Sequence, residues 1–312
     1  MKYGIISGMA WALDTLVLGI ALACVPFIHT EQALAFASVT SAFFHDLFCA
    51  FWMFIYTALK GRLSQTIAAV KTKSGLAIVV GALLGGPVGM TGYLIAINNI
   101  GVSYTAIIST FYPAFGTFLA LVFLKERMSL VQIIALFVAL LGIVYMGFLS
   151  LETSHAGNSI LGVVGALLCV FAWGSEAVLG AWGMRSEVIN NETALHIRET
   201  TSAIVYGLLV IPLFGSWDFV SLSFFTPANG IILGAALIGT ISYLAYYKAI
   251  SVIGAARGMA ANVSYSAWAV VFSLIFLQEI PSVPVVICCI IIMGGTILAS
   301  ADYRSLLKKS AS

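Results

Sequence analysis

Two acids follow a tryptophan by three residues inside long apolar runs: Asp14 after Trp11 and Glu176 after Trp173. A spacing of three puts indole and carboxyl on nearly the same helix face. The carboxylate balances positive charge, and the ring quadrupole attracts a cation by about 0.5–2 kcal/mol. Together they suit a cation with no N–H to donate, because a primary ammonium would call for several converging acceptors. Asn262, Tyr265 and Trp268 lie at spacings of three, and Tyr243, Tyr246 and Tyr247 cluster upstream, so facing helices could close an aromatic cage. The competing reading of any single ring is bulk packing. Glu176 resists that reading, since a charge at membrane depth costs about 2.5–3.5 kcal/mol on insertion scales and packing has no need of it. Something must compensate Glu176; in an empty site a bound proton is the expectation, and an arriving cation would displace it.

His45-Asp46 and Arg198-Glu199 are adjacent opposite charges. Helix neighbours do not face each other, so each group is expected to pair with another helix, while His196, three before Glu199, can reach it. Imidazole titrates near neutrality, which makes His45, Asp46 and Glu176 the candidates for carrying a proton. A structural cross-link between helices is the alternative for His45 and Asp46. Glu126 and Glu279 end apolar runs and read as topological or gating residues. No chemistry of bond breaking is signalled: Ser264 and Ser266 lack a His-Asp arrangement, the histidines are not at zinc spacing, and the glycine runs do not follow a strand. No enzyme, cofactor or metal site is expected. The five cysteines (Cys24, Cys49, Cys169, Cys288 and Cys289) all lie in apolar runs and read as packing.

The elements that must position these residues follow from composition. The chain has 312 residues, 61% of them hydrophobic and 8% charged, against about 25% charged in soluble domains. That makes an all-α integral membrane protein, and at about 20 residues per span it holds roughly ten helices with no soluble domain. Apolar runs place them at 4–25, 33–58, 74–97, 102–124, 130–149, 158–182, 194–214, 230–250, 256–277 and 283–301. Asp14 within the first run, and the many spans after it, argue against a cleaved leader. A formal net charge of +2 gives no reason to expect nucleic acid. The 14 Lys and Arg residues lie on or near alternate connections, Arg198 being placed near the same end of the seventh helix, so both termini are expected in the cytoplasm. Tyr56, Trp217 and Tyr303 at the run ends read as interfacial anchors.

An offset of 153, the separation of Glu126 and Glu279, aligns Gly81, Gly86, Tyr93, Gly101 and Tyr112 with Gly234, Gly239, Tyr246, Gly254 and Tyr265 without a gap, and Asp46 with Glu199. Five helices per unit is an odd number, so the second copy enters from the opposite face. The expectation is ten transmembrane helices as two inverted five-helix repeats, 1–152 and 153–312, with a site near the midplane between them. In the third helix, Gly81-Ala82-Leu83-Leu84-Gly85-Gly86-Pro87-Val88-Gly89-Met90 combines close-packing glycines with a proline that can bend it.

The five-plus-five arrangement and the Trp-Gly and Trp-Ala words resemble the EamA branch of the drug/metabolite transporter superfamily over nearly the whole chain. Phe44-His45-Asp46, the glycine run above, Ala172-Trp173-Gly174-Ser175-Glu176, Ser242 to Tyr247, and Asn262 to Tyr265 with Trp268 are similar to the bacterial LicB-type choline importers. That resemblance implies proton-coupled uptake of choline, a quaternary ammonium ion, across the bacterial inner membrane. It also implies a binding set of Trp11, Tyr112, Trp173, Glu176, Tyr243, Tyr247 and Trp268, and it assigns nothing to Asp14 or Glu199. The alternative on the same fold is an exporter of amines or other small metabolites.

Overall fold

The computed structural model describes residues 1–149 and 158–301, the side chains of Val102 and Ser103 excepted. Among the described residues ten helices are long and apolar enough to cross a membrane. They are α1 (Lys2–Leu22), α2 (Glu31–Leu59), α3 (Lys73–Gly101), α4 (Tyr104–Phe123), α5 (Leu130–Leu149), α6 (Ser159–Gly183), α7 (Asn191–Leu213), α8 (Pro227–Ile253), α9 (Ala255–Leu277) and α10 (Val283–Ser300). The junction expected at 152/153, Tyr303 and the basic residues Arg304, Lys308 and Lys309 lie outside the described residues.

Local chemistry starts these helices where the apolar runs begin. The side chains of Thr30, Thr72, Asn158, Asn190 and Thr226 each accept from a backbone N–H in the first turn of α2, α3, α6, α7 and α8, satisfying donors that the helix itself leaves open. Pro227 then occupies the first position of α8, where a missing N–H costs nothing. Inside α3, Pro87 sits in a π-helical turn, Leu84–Val88, at the stretch the sequence marks as able to bend. Two short helices, Leu63–Val70 and Trp217–Phe224, lie in segments read from sequence as plain connections. Each buries only a few small or apolar side chains, Thr66 and Ala69 in one and Phe219 and Val220 in the other.

Helices pack in symmetry-related pairs: α1 on α8 and α6 on α3, α2 on α7, α4 on α9, and α5 on α10. The backbone carries the same symmetry at the offset of 153. Gly101 and Gly254 have φ of 79° and 88°, and Lys125 and Gln278 have φ of 54° and 59°. The N–H of Glu126 donates to Ala120 O and that of Glu279 to Ser273 O. Such positive φ values are rare outside glycine, so their recurrence at equivalent sites marks a duplicated framework rather than matching apolar composition. The flanks of α5 and α10 expose Ile134, Phe137, Leu141, Ile287 and Ile290, as a lipid-facing surface requires.

Candidate functional site

The charged groups expected to pair between helices converge where α1, α2, α6 and α7 meet. In the first half, Nε2 of His45 on α2 lies 3.1 Å from both carboxylate oxygens of Asp14 on α1. In the second half, Nε of Arg198 on α7 donates to Glu176 Oε1 on α6 at 2.9 Å. His45 and Arg198 are equivalent at the offset of 153, whereas Asp14 and Glu176 are 176 − 14 = 162 apart; each half still sets an acid on its first helix against a base on its second. The two units meet at Asp46. Arg198 Nη1 lies 3.5 Å from Asp46 Oδ1, His45 Nδ1 lies 3.8 Å from the same oxygen, and Ser202 Oγ donates to Oδ2.

Glycines make this convergence possible. A Cβ at Gly85 would collide with the Glu176 carboxylate, and one at Gly86 would collide with Ser202 and approach Asp46. On α8, a Cβ at Gly239 would stand 2.9 Å from His45 Nε2 and 3.0 Å from Asp14 Oδ2. Gly86 and Gly239 are themselves equivalent, so each half lays a bare stretch of backbone against the charged groups.

Expectations about Arg198 and its neighbours change. Arg198 is not a topological charge near a helix end: its side chain is 5% exposed and lies within the cluster. Adjacent Arg198 and Glu199 do pair, Nη1 to Oε2 at 2.8 Å, because the long guanidinium stem folds back to a carboxylate that is 0% exposed. Glu176 has a positive partner within the chain, the same arginine, which the sequence did not name for it. His196 Nδ1 lies 3.0 Å from Thr57 Oγ1. Tyr56, read as an anchor, also donates to Glu192 Oε1 at 2.8 Å, beside Lys60 and Arg62. Lys60 Nζ donates to Glu192 Oε1 at 2.8 Å, and this hydrogen bond holds the ammonium above its usual pKa.

The aromatic residues form distinct groups. Trp173 stacks on Tyr93 with centroids 5.5 Å apart and meets Tyr112 edge-on at 5.7 Å. Its Nε1 donates to Gly85 O in the π turn at 3.0 Å, which fixes the ring beside Glu176. Trp11 meets Tyr243 edge-on at 5.1 Å, and the Arg198 guanidinium carbon lies 4.7 Å from the centroid of the Tyr243 ring. Tyr247 is buried next to Gly180, one helical turn beyond Glu176. Trp268 stacks on Phe272 instead, and its buried Nε1 has no partner among the described residues. Asn262 joins the groups, accepting from Ser7 Oγ at 2.9 Å and donating to the Tyr112 hydroxyl at 3.3 Å. Tyr93 beside Trp173 is a neighbour that the sequence did not single out for the site, and Arg198, expected there to pair with another helix, was not assigned to Glu176. The equivalence of Tyr93 with Tyr246, and of Arg198 with His45, is the signal that carries them.

Glu126 binds the start of α9: its Oε1 accepts from Ala255 N at 2.8 Å and Oε2 from Ala256 N at 3.0 Å. A separate cavity of about 510 Å³ is lined by Ile107, Ile143, Tyr265 and Val285, with Glu279 at its edge; Glu176 does not line it. Tyr265 therefore belongs to that space as well as to the face carrying Asn262. The cavity's walls are mostly apolar, whereas four acids and two bases converge at the cluster, so the chemistry points to the latter.

What the cluster can do follows from its charge. Asp14, Asp46, Glu176 and Glu199 face Arg198 and His45, so the acids outnumber the bases even with His45 protonated. At membrane depth such a deficit of positive charge is met by protons or by a bound cation. Residues 2–148 and 160–301 match the EamA-like transporter family. Protein LicB of Haemophilus influenzae is similar, 26% identical over 306 residues that make up 97% of each chain. A solved crystal structure of a protein shares the fold with a TM-score of 0.62 and 16% identity, covering 100% of this chain and 98% of its own. Two half-chain matches, a duplicated ten-helix framework and a charged cluster between the halves lead to one conclusion: the chain belongs to the EamA-like transporter family.

Proposed function

We propose that the protein is a secondary transporter that imports choline across the bacterial inner membrane, driven by protons, by alternating access between the halves 1–152 and 153–312. The observation that carries this reading is Glu176, an intramembrane carboxylate set beside the Trp173 indole in a cluster short of positive charge. A quaternary ammonium needs an anion and aromatic faces but no hydrogen-bond acceptor, and Trp11, Tyr112, Trp173, Tyr243, Tyr247 and Trp268 are the rings assigned to it. The resemblance to choline importers supports the same substrate. His45 with Asp46 is the assigned proton path, because an imidazole can give up its proton whereas the guanidinium of Arg198 stays charged. Asp14 joins it as the partner of Nε2.

Binding of choline, betaine, carnitine and polyamines to the purified protein, followed by calorimetry, tests the substrate. Choline binding is expected and preference for a polyamine overturns it. Right-side-out vesicles with labelled choline, with and without a proton gradient, test direction. Outward flux alone would make the protein an exporter. Orientation is tested by impermeant thiol reagents, which are expected to label a cysteine placed at Asn158 from outside but not one placed at Gly61.

A further inference from the structure

We propose that Arg198 is a tethered competitor for the cation site, occupying Glu176 until a ligand displaces it onto Asp46 and Glu199. The inference rests on the reading that Glu176 is the anionic partner of a quaternary ammonium. The geometry gives the guanidinium what such a ligand would use: a carboxylate oxygen 2.9 Å from Nε and the Tyr243 ring 4.7 Å from its central carbon. The other end of the same planar group is held separately, with Nη1 2.8 Å from Glu199 and 3.5 Å from Asp46. Letting go of Glu176 therefore leaves Arg198 with two acids rather than none. The exposures run the same way, since the side chain of Glu199 is 0% exposed and that of Glu176 is 14% exposed. The deeper contact anchors the arginine and the shallower one is the contact a ligand can take over.

A site whose counter-ion is taken in most molecules binds its ligand more weakly by the fraction in which it is free, so occupancy by Arg198 in about nine molecules of ten weakens apparent affinity about tenfold. The competitor also acts as a filter. A ligand must supply more contact with Trp173 and its neighbours than the guanidinium gives up, which disfavours small inorganic cations.

The experiment measures choline affinity in wild type, Arg198→Lys and Arg198→Ala. Lysine keeps a positive charge for Asp46 and Glu199 but has no fork to reach Glu176 as well. Arg198→Lys is expected to bind choline about tenfold more tightly by the same occupancy argument. In Arg198→Ala, added guanidinium chloride is expected to suppress choline binding at concentrations that leave the wild type unaffected, since the free ion refills the space. Weaker or unchanged choline binding by folded Arg198→Lys overturns the proposal and makes Arg198 a positioning residue. On the unaltered protein, the Arg198 Nε–H resonance is expected to move when choline is added, as its contact with Glu176 is lost, and a resonance that stays put overturns the proposal even if no variant folds. Glu176→Gln run alongside separates the two readings. Lost choline binding there, with no tightening in Arg198→Lys, sinks the competitor and leaves the cation site standing; undiminished binding in Glu176→Gln sinks both.

Discussion

The two halves hold the same acid–base pair built from different chemistry. Asp14 faces His45 in one half and Glu176 faces Arg198 in the other, at 3.1 and 2.9 Å. Imidazole can lose its charge near neutral pH and guanidinium cannot. An inverted repeat therefore need not give two equivalent sites. One pair can respond to protons, while in the other the arginine is always charged and only its partner can change. The glycines and the helix pairing are shared; a change of base separates the roles.

Breaking the second pair is expected to have the largest effect. Glu176→Gln should cost choline about 2–5 kcal/mol of binding, as expected for losing the partner of a desolvated charge, which calorimetry would register as near-complete loss. Asp14→Asn should leave choline affinity close to wild type, and equal losses in the two variants would mean that the halves are not specialised. Next in size is Asp46→Asn, which removes the residue shared by both pairs. Binding should persist while gradient-driven accumulation falls about 5- to 150-fold, the range of a coupling energy between linked sites. Accumulation at the wild-type level would take Asp46 out of the proton path.

Smaller effects sharpen the comparison on the aromatic side. Trp173→Leu keeps bulk but removes a ring face, and should weaken choline binding by about 0.5–2 kcal/mol with folding retained. Trp268→Leu should lie at the lower end of that range, because its ring is engaged with Phe272 rather than with the Trp173 group. A larger loss at Trp268 than at Trp173 would move the site toward α9. Smallest is Glu126→Ala at the start of α9, expected to lower stability by about 1 kcal/mol through a lost cap, read as a shift of the thermal midpoint with choline affinity unchanged.

Much of this architecture was legible because a membrane enforces it. Apolar runs long enough to span gave the helices, and the recurrence of Tyr, Gly and Glu at one offset gave the repeat, since polar and special-backbone positions recur for a reason when apolar ones recur by composition. Glu176, His45 and Asp46 stood out because an ionisable group in such a run has to be explained. Arg198 was misread through two rules that are sound on average. Basic residues do gather at one face of a membrane, and helix neighbours do point apart, but a long guanidinium stem can turn inward and fold back on Glu199. Tyr93 was visible only as a term in the repeat, because nothing in the sequence says which of many rings will stack on Trp173. The division of the aromatic residues into groups depends on helix rotation, which the sequence does not encode locally.

Gly254, with φ of 88° and ψ of 164°, is the single residue between the last turn of α8 and the first turn of α9. A connection that short has no slack, and Glu126 grips the two N–H groups just beyond it. The two helices are consequently joined end to end rather than free to turn as independent rods. One arm sets Gly239 against His45 and Asp14; the other carries Asn262 in its last turn and, beyond the turn at Val263 and Ser264, Trp268. The joint therefore ties the orientation of the helix that meets His45 and Asp14 to that of the segment Ala255–Asn262, which ends at the turn of Val263 and Ser264.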